Sequence, residues 1–174
     1  MISIELLRFY PFFSGLSLEQ LGILAKAANE IIVQPDQYLF HEGETTDHFY
    51  VVKEGVVEIV FEVPAPDTTH KLSDQFSRKL QTKNVIVSAI GPGEIFGWSG
   101  LLPPHKATAS AIAMSVTKVI AIDCRELRKI FEEDCRFGYL MTQKAANVIR
   151  ERLHDMRKER LVRQAARAGS HGLR

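Results

Sequence analysis

Residues 91–111 read GPGEIFGWSGLLPPHKATASA and contain a turn, a short apolar run and a loop. Pro92 stands between two glycines, which favours a tight turn because proline fixes φ while glycine admits positive φ. Ile95 and Phe96 form the apolar run, and the loop after them ends in a cation, Lys106. Glycines let backbone N–H groups approach an anion closely, so this loop is a candidate phosphate site. A plain surface turn is the alternative.

The segments on both sides of this stretch predict a mainly β fold. Short β-branched and aromatic runs recur at near-regular spacing with glycines between them, which is typical of a sandwich or barrel. The predicted strands are residues 31–33, 38–40, 48–52, 56–63, 85–90, 95–96, 107–113 and 117–122. Residues 64–84 are polar and begin with prolines, so we expect a disordered hairpin insertion there.

Helices are predicted on both sides of the β region. Ser17 and Gln20 form a capping box for a helix over residues 18–28, and Asp123 is the predicted N-cap of a helix that begins near Arg125. A longer helix is predicted for residues 137–166, which at ~1.5 Å per residue extends about 45 Å, farther than a small barrel can cover. Its apolar stripe predicts a homodimer through this helix, with packing back onto the barrel as the alternative.

These elements divide the chain into three regions. They are an N-terminal helical segment at residues 1–28, a jelly-roll barrel at 29–123 that includes the insertion, and C-terminal helices at 124–174. Residues 150–174 carry eight Lys or Arg and three Asp or Glu. This basic tail is interpreted as a solvated helix face, and a nucleic acid or an acidic partner is the alternative.

Composition and motifs exclude several classes of function. The chain is 45% hydrophobic and 25% charged, and it contains neither a membrane-spanning apolar run nor a basic, apolar leader. We therefore expect no membrane contact. Cys124 and Cys135 do not make a disulfide framework, so we expect a reducing cytoplasm. Cys124 is either a small buried residue or a redox thiol. Scattered histidines and the lack of a nucleophile–base arrangement predict no metal, no catalytic residue and no enzyme.

The order of these elements resembles the cyclic nucleotide-binding domain of the catabolite activator protein and protein kinase A regulatory subunit family. The resemblance covers residues 10–160. The segments that carry it are Pro11–Phe13, LFHEGE at 39–44, FYVVKEG at 49–55 and GPGEIFG at 91–97. It implies a double-stranded β-helix jelly roll followed by two helices, the last of which is the dimer helix in bacterial members.

The resemblance also implies a ligand site at the loop of residues 97–107, which we call the cassette loop. The candidate site residues are Phe96, Gly97, Trp98, Ser99, Gly100, Leu101, Lys106, Ala107 and Thr108. Trp98 stands where the family has a glutamate that holds the ribose 2′-hydroxyl, and Lys106 stands where it has a phosphate-binding arginine. Lysine lacks the planar fork of arginine, and indole has no acceptor, so we expect weak or no binding of cyclic AMP. Trp98 either fills the pocket or stacks on a different ligand.

The region that matches the family's adenine contact is Met156-Arg157, so that contact is also expected to be absent. The resulting prediction is a stand-alone regulatory domain without certain cofactors. It binds a small ligand, with cyclic AMP and cyclic GMP as candidates, under the cassette loop and signals through the C-terminal helix. The alternative is a ligand-free interaction module that acts on an unknown protein effector. Residues 165–174 are too few for a DNA-reading module, so direct DNA binding is not expected.

Overall fold

The computed structural model describes residues 2–64 and 82–169. The helices are α1 (Ile4–Arg8), α2 (Leu18–Ala27), α3 (Cys124–Glu133) and α4 (Cys135–Gly169), with 3₁₀ helices at Pro11–Phe13 and Trp98–Gly100. The strands are β1 (Ala28–Val33), β2 (Tyr38–Phe40), β3 (His48–Glu54), β4 (Val57–Pro64), β5 (Thr82–Ile90), β6 (Ile95–Phe96), β7 (Ser110–Ala113) and β8 (Thr117–Asp123). Most of the predicted insertion, residues 65–81, lies outside the described residues, while residues 82–84 belong to β5.

The strands in the described ranges form two antiparallel sheets of the jelly-roll class. The first sheet has the order β1-β8-β3-β6, and the second has the order β2-β7-β4-β5. Strands that are distant in sequence are neighbours in both sheets, as when β1 pairs with β8 from Ala28 opposite Ile122 to Val33 opposite Thr117. The mainly β prediction is therefore confirmed.

Side-chain alternation along β3 explains how the first sheet packs on both faces. Phe49 and Val51 are fully buried in a cluster with the helices, whereas Val52 and the mostly buried Tyr50 belong to a second cluster. That second cluster also contains Val57 of β4, so it lies between the two sheets. Successive side chains of a strand point to opposite faces, so β3 contributes side chains to both hydrophobic clusters.

Local sequence signals set the helix boundaries. Ser17 Oγ accepts a hydrogen bond from Gln20 N, and Gln20 Oε1 accepts one from Ser17 N, which confirms the predicted capping box. Asp123 Oδ1 accepts from Arg125 N at 2.8 Å, which confirms Asp123 as the N-cap of α3. The long helix begins at Cys135, two residues before the predicted start, and continues to Gly169.

Candidate ligand-binding site

The first half of the cassette loop lies against β3 because two of its residues lack side chains. Gly97 has φ 75°, and a Cβ there would lie 2.9 Å from Tyr50 Cδ2. A Cβ on Gly100 would lie 2.9 Å from both Cys124 Sγ and the His48 carbonyl oxygen. Both positions therefore require glycine, at Gly97 for the left-handed conformation and at both for the close approach.

The second half of the cassette loop pairs with the turn that follows β2. Gly43 N donates to the Ala107 carbonyl oxygen, Ala107 N donates to Glu44 O, and Thr46 N donates to His105 O, each at 2.8 Å. Thr45 and Lys106 form an isolated antiparallel bridge between the same two segments. β7 begins at Ser110, three residues after the start of the predicted strand 107–113.

A cavity of about 40 Å³ lies beneath the cassette loop. Its walls are aromatic, aliphatic and hydroxyl-bearing side chains together with one glycine. They are Phe40, Thr46, Ile59, Phe96, Gly97, Trp98, Ser99, Ala107, Thr108 and Ala109. Six of the nine predicted site residues line it: Phe96, Gly97, Trp98, Ser99, Ala107 and Thr108.

The other three predicted site residues lie elsewhere. Gly100 packs against Cys124, and Leu101 packs against the core cluster that contains the helices. Lys106 is exposed and is not part of the cavity wall. Its neighbour Ala107 is buried and does line the cavity, and adjacent residues of an extended segment point to opposite faces.

Four wall residues were missed by the sequence reasoning. Phe40 and Ile59 lie in predicted strands, so strand alternation could have placed them on an inner face. Ala109 lies one residue before β7. Thr46 lies in a turn, and no local sequence signal assigns it to the site.

Thr46, a wall residue of this cavity, carries an unusual hydroxyl. The residue is 5% exposed, and its Oγ1 has no hydrogen-bond partner among the described residues. A buried hydroxyl without a partner costs about 1–3 kcal/mol, so native proteins retain few of them. The backbone bond to His105 fixes Thr46 relative to the cassette loop.

The residues present do not fit a cyclic nucleotide in this conformation. Among the described residues, those that line the cavity include no charged side chain, whereas a buried cyclic phosphate needs a cationic partner. The volume of about 40 Å³ is also small, because ligand cavities commonly measure roughly 300–1,000 Å³. Trp98 would have to move before a nucleotide could enter.

Burial keeps two titratable groups beside the loop, the Tyr50 phenol and the Cys124 thiol, protonated at neutral pH. Desolvation raises the pKa of the Tyr50 phenol to about 12, and the Tyr50 ring stacks on Phe96 with centroids 4.9 Å apart. Desolvation also raises the pKa of the Cys124 thiol to about 12. A thiol with a raised pKa is a poor nucleophile, and Cys124 is also fully buried, which favours the small buried residue over the redox thiol.

Arg128 joins the cassette loop to α3. Its Nη1 donates to the Gly100 carbonyl oxygen and its Nη2 donates to Asp47 Oδ1, both at 2.9 Å. The Asp47 carbonyl oxygen accepts from Cys124 N, the first residue of α3, at 2.7 Å. One guanidinium thus connects the loop, the residue before β3 and the helix.

The junction between α3 and α4 is equally tight. Phe131 and Phe137 meet edge to face with centroids 5.1 Å apart. A Cβ on Gly138 would lie 2.8 Å from Phe131 Cβ, so the two helices approach as closely as a glycine allows. A displacement of α3 therefore acts directly on the start of α4.

Beyond this junction, α4 spans a cleft of about 410 Å³ against the N-terminal segment and the β5–β6 turn. Two polar contacts cross it. Lys144 Nζ donates to the Ser14 carbonyl oxygen at 2.7 Å, and partial burial lowers the pKa of this ammonium group. Arg152 Nη2 lies 3.0 Å from Glu94 Oε1.

Comparison with known proteins identifies the class. A family model described as "Cyclic nucleotide-binding domain" matches residues 30–134, and the chain belongs to this family. Members of the family regulate other activities and are not themselves catalytic. Within the described residues, no helix is both long and apolar enough to span a membrane.

Individual relatives agree with this assignment. A candidate cyclic nucleotide-binding protein of Geobacter metallireducens GS-15 has a solved structure that is 29% identical, with a TM-score of 0.73 over 88% of this chain and 100% of that one. The cAMP-dependent protein kinase regulatory subunit of Mycosarcoma maydis is 28% identical over 70% of this chain and 22% of its own length. The cyclic AMP receptor protein of Thermus thermophilus is 24% identical over 64% of this chain and 44% of its own length. The chain thus spans less than half the length of the last two proteins.

Proposed function

We propose that this chain is a ligand-sensing regulatory domain in which a small molecule binds under the cassette loop and α4 carries the response. The observation that carries the proposal is the junction at Arg128, which links the Gly100 carbonyl in the loop to α3. Family membership supports a regulatory role, and the cavity beneath the loop supports the position of the site.

The coupling follows from the hydrogen bonds at this junction. A ligand that enters the cavity displaces Trp98 and shifts the 3₁₀ helix that ends at Gly100. The Gly100 carbonyl then moves relative to Arg128, whose other hydrogen bond holds it to Asp47. The close contact between Phe131 and Gly138 passes the change from α3 to α4. The result is a shift in population between two positions of the C-terminal helices.

The distal part of α4 is the proposed output surface. Leu153, Met156, Leu161 and Val162 are exposed large apolar residues on it. A second copy of this helix would cover those that face it in a homodimer, and an unknown protein effector is the other partner that could cover this surface. A cytoplasmic location and the absence of direct DNA contact stay predictions, with the free cysteines supporting the first.

The function is tested with cyclic AMP, cyclic GMP and cyclic di-GMP as probes. Binding to the folded state raises the melting temperature, because it adds about 2.7 kcal/mol of stability at a hundred times the dissociation constant. We expect a probe that binds to change amide hydrogen exchange along α4. The variant Arg128→Met retains the side-chain stem but loses both hydrogen bonds, so it should bind the same probe while the response of α4 is largely lost.

A neighbouring residue provides the matched control. Lys129 is exposed and pairs with Glu126 within α3, so Lys129→Met should preserve both binding and the response of α4. Binding that leaves hydrogen exchange in α4 unchanged in the unsubstituted protein would contradict the proposed coupling.

A second candidate function is the ligand-free interaction module. The small volume of the cavity and the exposed position of Lys106 favour it, since both fit a site that has lost its nucleotide. Failure of every probe to raise the melting temperature at millimolar concentration would favour this module. The function would then depend on the protein that binds α4.

A further inference from the structure

The cleft between α4 and the N-terminal segment, which we call the α4 cleft, is separate from the cavity beneath the cassette loop. Its volume is about 410 Å³, within the range of roughly 300–1,000 Å³ that is common for small-molecule sites. Within the described ranges of the chain, no residue lines both the cleft and the cavity. The α4 cleft is therefore a second candidate site, and its lining determines which class of molecule fits it.

Lys144 places a positive charge at one end of the α4 cleft. Its Nζ donates to the Ser14 carbonyl oxygen at 2.7 Å, and both residues line the cleft. An ammonium group has three N–H donors, so two remain for other acceptors. In the part of the chain that the structure describes, no carboxylate pairs with Lys144, and partial burial lowers the pKa of its ammonium group. A carboxylate bound here would replace the hydration that this group has lost.

Apolar side chains line the cleft beside Lys144. Phe12 and Val148 are half-buried and pack against the core cluster that contains the helices. Val148 lies one helical turn after Lys144, so the two side chains share a face of α4. An apolar body attached to a carboxylate at Lys144 would lie on Phe12 and Val148 and lose its contact with water, which is favourable.

Acidic side chains lie at the other end of the α4 cleft. Glu151 and Asp155 line it and are exposed, and Glu151 follows Lys144 by two helical turns, about 10 Å along the axis. Arg152 also lines the cleft, but its Nη2 is paired with Glu94 Oε1 at 3.0 Å. A ligand with a second negative charge would meet Glu151 and Asp155, and like charges repel. The cleft therefore favours one carboxylate and disfavours two.

We propose that the α4 cleft binds an amphipathic monocarboxylate, whose carboxylate pairs with Lys144 and whose apolar body lies on Phe12 and Val148. A molecule in this position contacts α4 and the N-terminal segment together, so it holds the proximal part of α4 to the rest of the domain. Lys144 selects the charge of the ligand, and Glu151 and Asp155 select against dicarboxylates. This inference goes beyond the proposed function, because it holds whether or not a ligand binds beneath the cassette loop.

Three probes of similar size and shape differ in the charge of the end group: phenylbutyrate, phenylbutanol and phenylbutylamine. We expect phenylbutyrate to bind at least about tenfold more tightly than the other two, a difference of roughly one charged hydrogen bond. NMR titration measures dissociation constants into the millimolar range, and the amides that shift should include those of residues 144–155. Equal binding of the three probes, or no binding of phenylbutyrate at millimolar concentration, would overturn the proposal.

Substitutions at Lys144 separate recognition of the carboxylate from the shape of the cleft. Lys144→Met retains the side-chain stem and loses the charge, so it should bind phenylbutyrate about tenfold more weakly and phenylbutanol within about threefold of the unsubstituted protein. Lys144→Arg keeps the charge and should bind phenylbutyrate within about threefold of the unsubstituted protein. If Lys144→Met loses phenylbutanol binding as well, Lys144 only shapes the cleft, and the proposed carboxylate contact is wrong.

Arg157 provides the matched control on the same helix. It is exposed, and it is not among the residues that line the α4 cleft. Arg157→Met removes the same charge as Lys144→Met, so it should leave the dissociation constants of all three probes unchanged. An equal loss of phenylbutyrate binding in both variants would mean that the net charge of α4 attracts the probe and that Lys144 does not bind it.

The acidic end of the cleft is tested with a dicarboxylate, the para-carboxyl derivative of phenylbutyrate. We expect the dicarboxylate to bind about threefold more weakly than phenylbutyrate, since Glu151 and Asp155 are exposed and their repulsion is screened by water. The double variant Glu151→Gln, Asp155→Asn should remove this difference. Equal binding of the two acids by the unsubstituted protein would overturn the role assigned to Glu151 and Asp155.

Discussion

The two halves of α4 have the same backbone conformation but different surroundings. In the proximal half, Phe137, Met141 and Ala145 are buried in or beside the core that contains the helices. In the distal half, Leu153 and Leu161 are exposed although they are equally apolar. Tertiary packing stabilises most helices in proteins, so the proximal half belongs to the folded domain. The distal half is helical although its large apolar side chains are 41–68% exposed.

Polar contacts mark the change between the two halves. Lys144 binds the Ser14 carbonyl, and Arg152 pairs with Glu94, whose other carboxylate oxygen accepts from Gly91 N at 2.6 Å. The Arg152–Glu94 contact thus joins α4 to the turn that precedes β6. In the proposed function, the response passes from the buried proximal half of α4 to the more exposed distal half.

The largest effect on stability is expected in the proximal half of α4, from Phe137→Ala. Phe137 is 0% exposed and packs against Phe131, so its truncation should lower the free energy of unfolding by about 3–5 kcal/mol. Tyr139, two residues later, is 62% exposed, and Tyr139→Ala should change the free energy of unfolding by less than about 0.5 kcal/mol. Urea denaturation measures both free energies, and similar losses for the two variants would contradict the packing of one side of the proximal half against the core.

A smaller loss of stability is expected from Gly138→Ala at the α3–α4 junction. The new Cβ would lie 2.8 Å from Phe131 Cβ, and the overpacking should cost about 1–3 kcal/mol. The same substitution at Gly22, within α2, meets only Ile4 Cδ1 at 3.8 Å. Gly22→Ala should therefore stabilise the protein by up to about 1 kcal/mol, the gain in helix propensity.

Opposite signs for these two glycine substitutions in denaturant titrations would confirm that the junction is tight. If Gly138→Ala instead stabilises the protein as Gly22→Ala does, then α3 and α4 separate easily, and the proposed coupling through Phe131 loses its basis.

The sequence predicts most of the fold because local signals and global packing agree there. Alternation at residues 49–52, the capping box at Ser17 and the N-cap at Asp123 all specify the elements that form. The residues of the candidate ligand site are harder to predict from local sequence signals. The position of Lys106 depends on its bridge to Thr45, and Thr46 joins the cavity only because its turn pairs with residues 105–107. Contacts between distant segments leave no local pattern.

The smallest effect on the stability of one chain is expected from Leu161→Glu in the distal half. Leu161 is 64% exposed, so the substitution should change the free energy of unfolding of the monomer by less than about 0.5 kcal/mol. In the proposed homodimer, however, the same change places a charge in the apolar contact between two copies, and an unpaired charge is costly to bury. Sedimentation should show a dimer for the unsubstituted protein and a monomer for the variant.

Leu18→Glu is the matched control, because Leu18 is 65% exposed and lies at the start of α2 and not on the distal half of α4. It should sediment like the unsubstituted protein. A monomer for the unsubstituted chain at a concentration of about 100 μM, far above a typical dissociation constant for an interface of biological size, would rule out the homodimer. The exposed half of α4 would then be the surface for an effector protein, and Leu161→Glu would become the variant with which to test that contact.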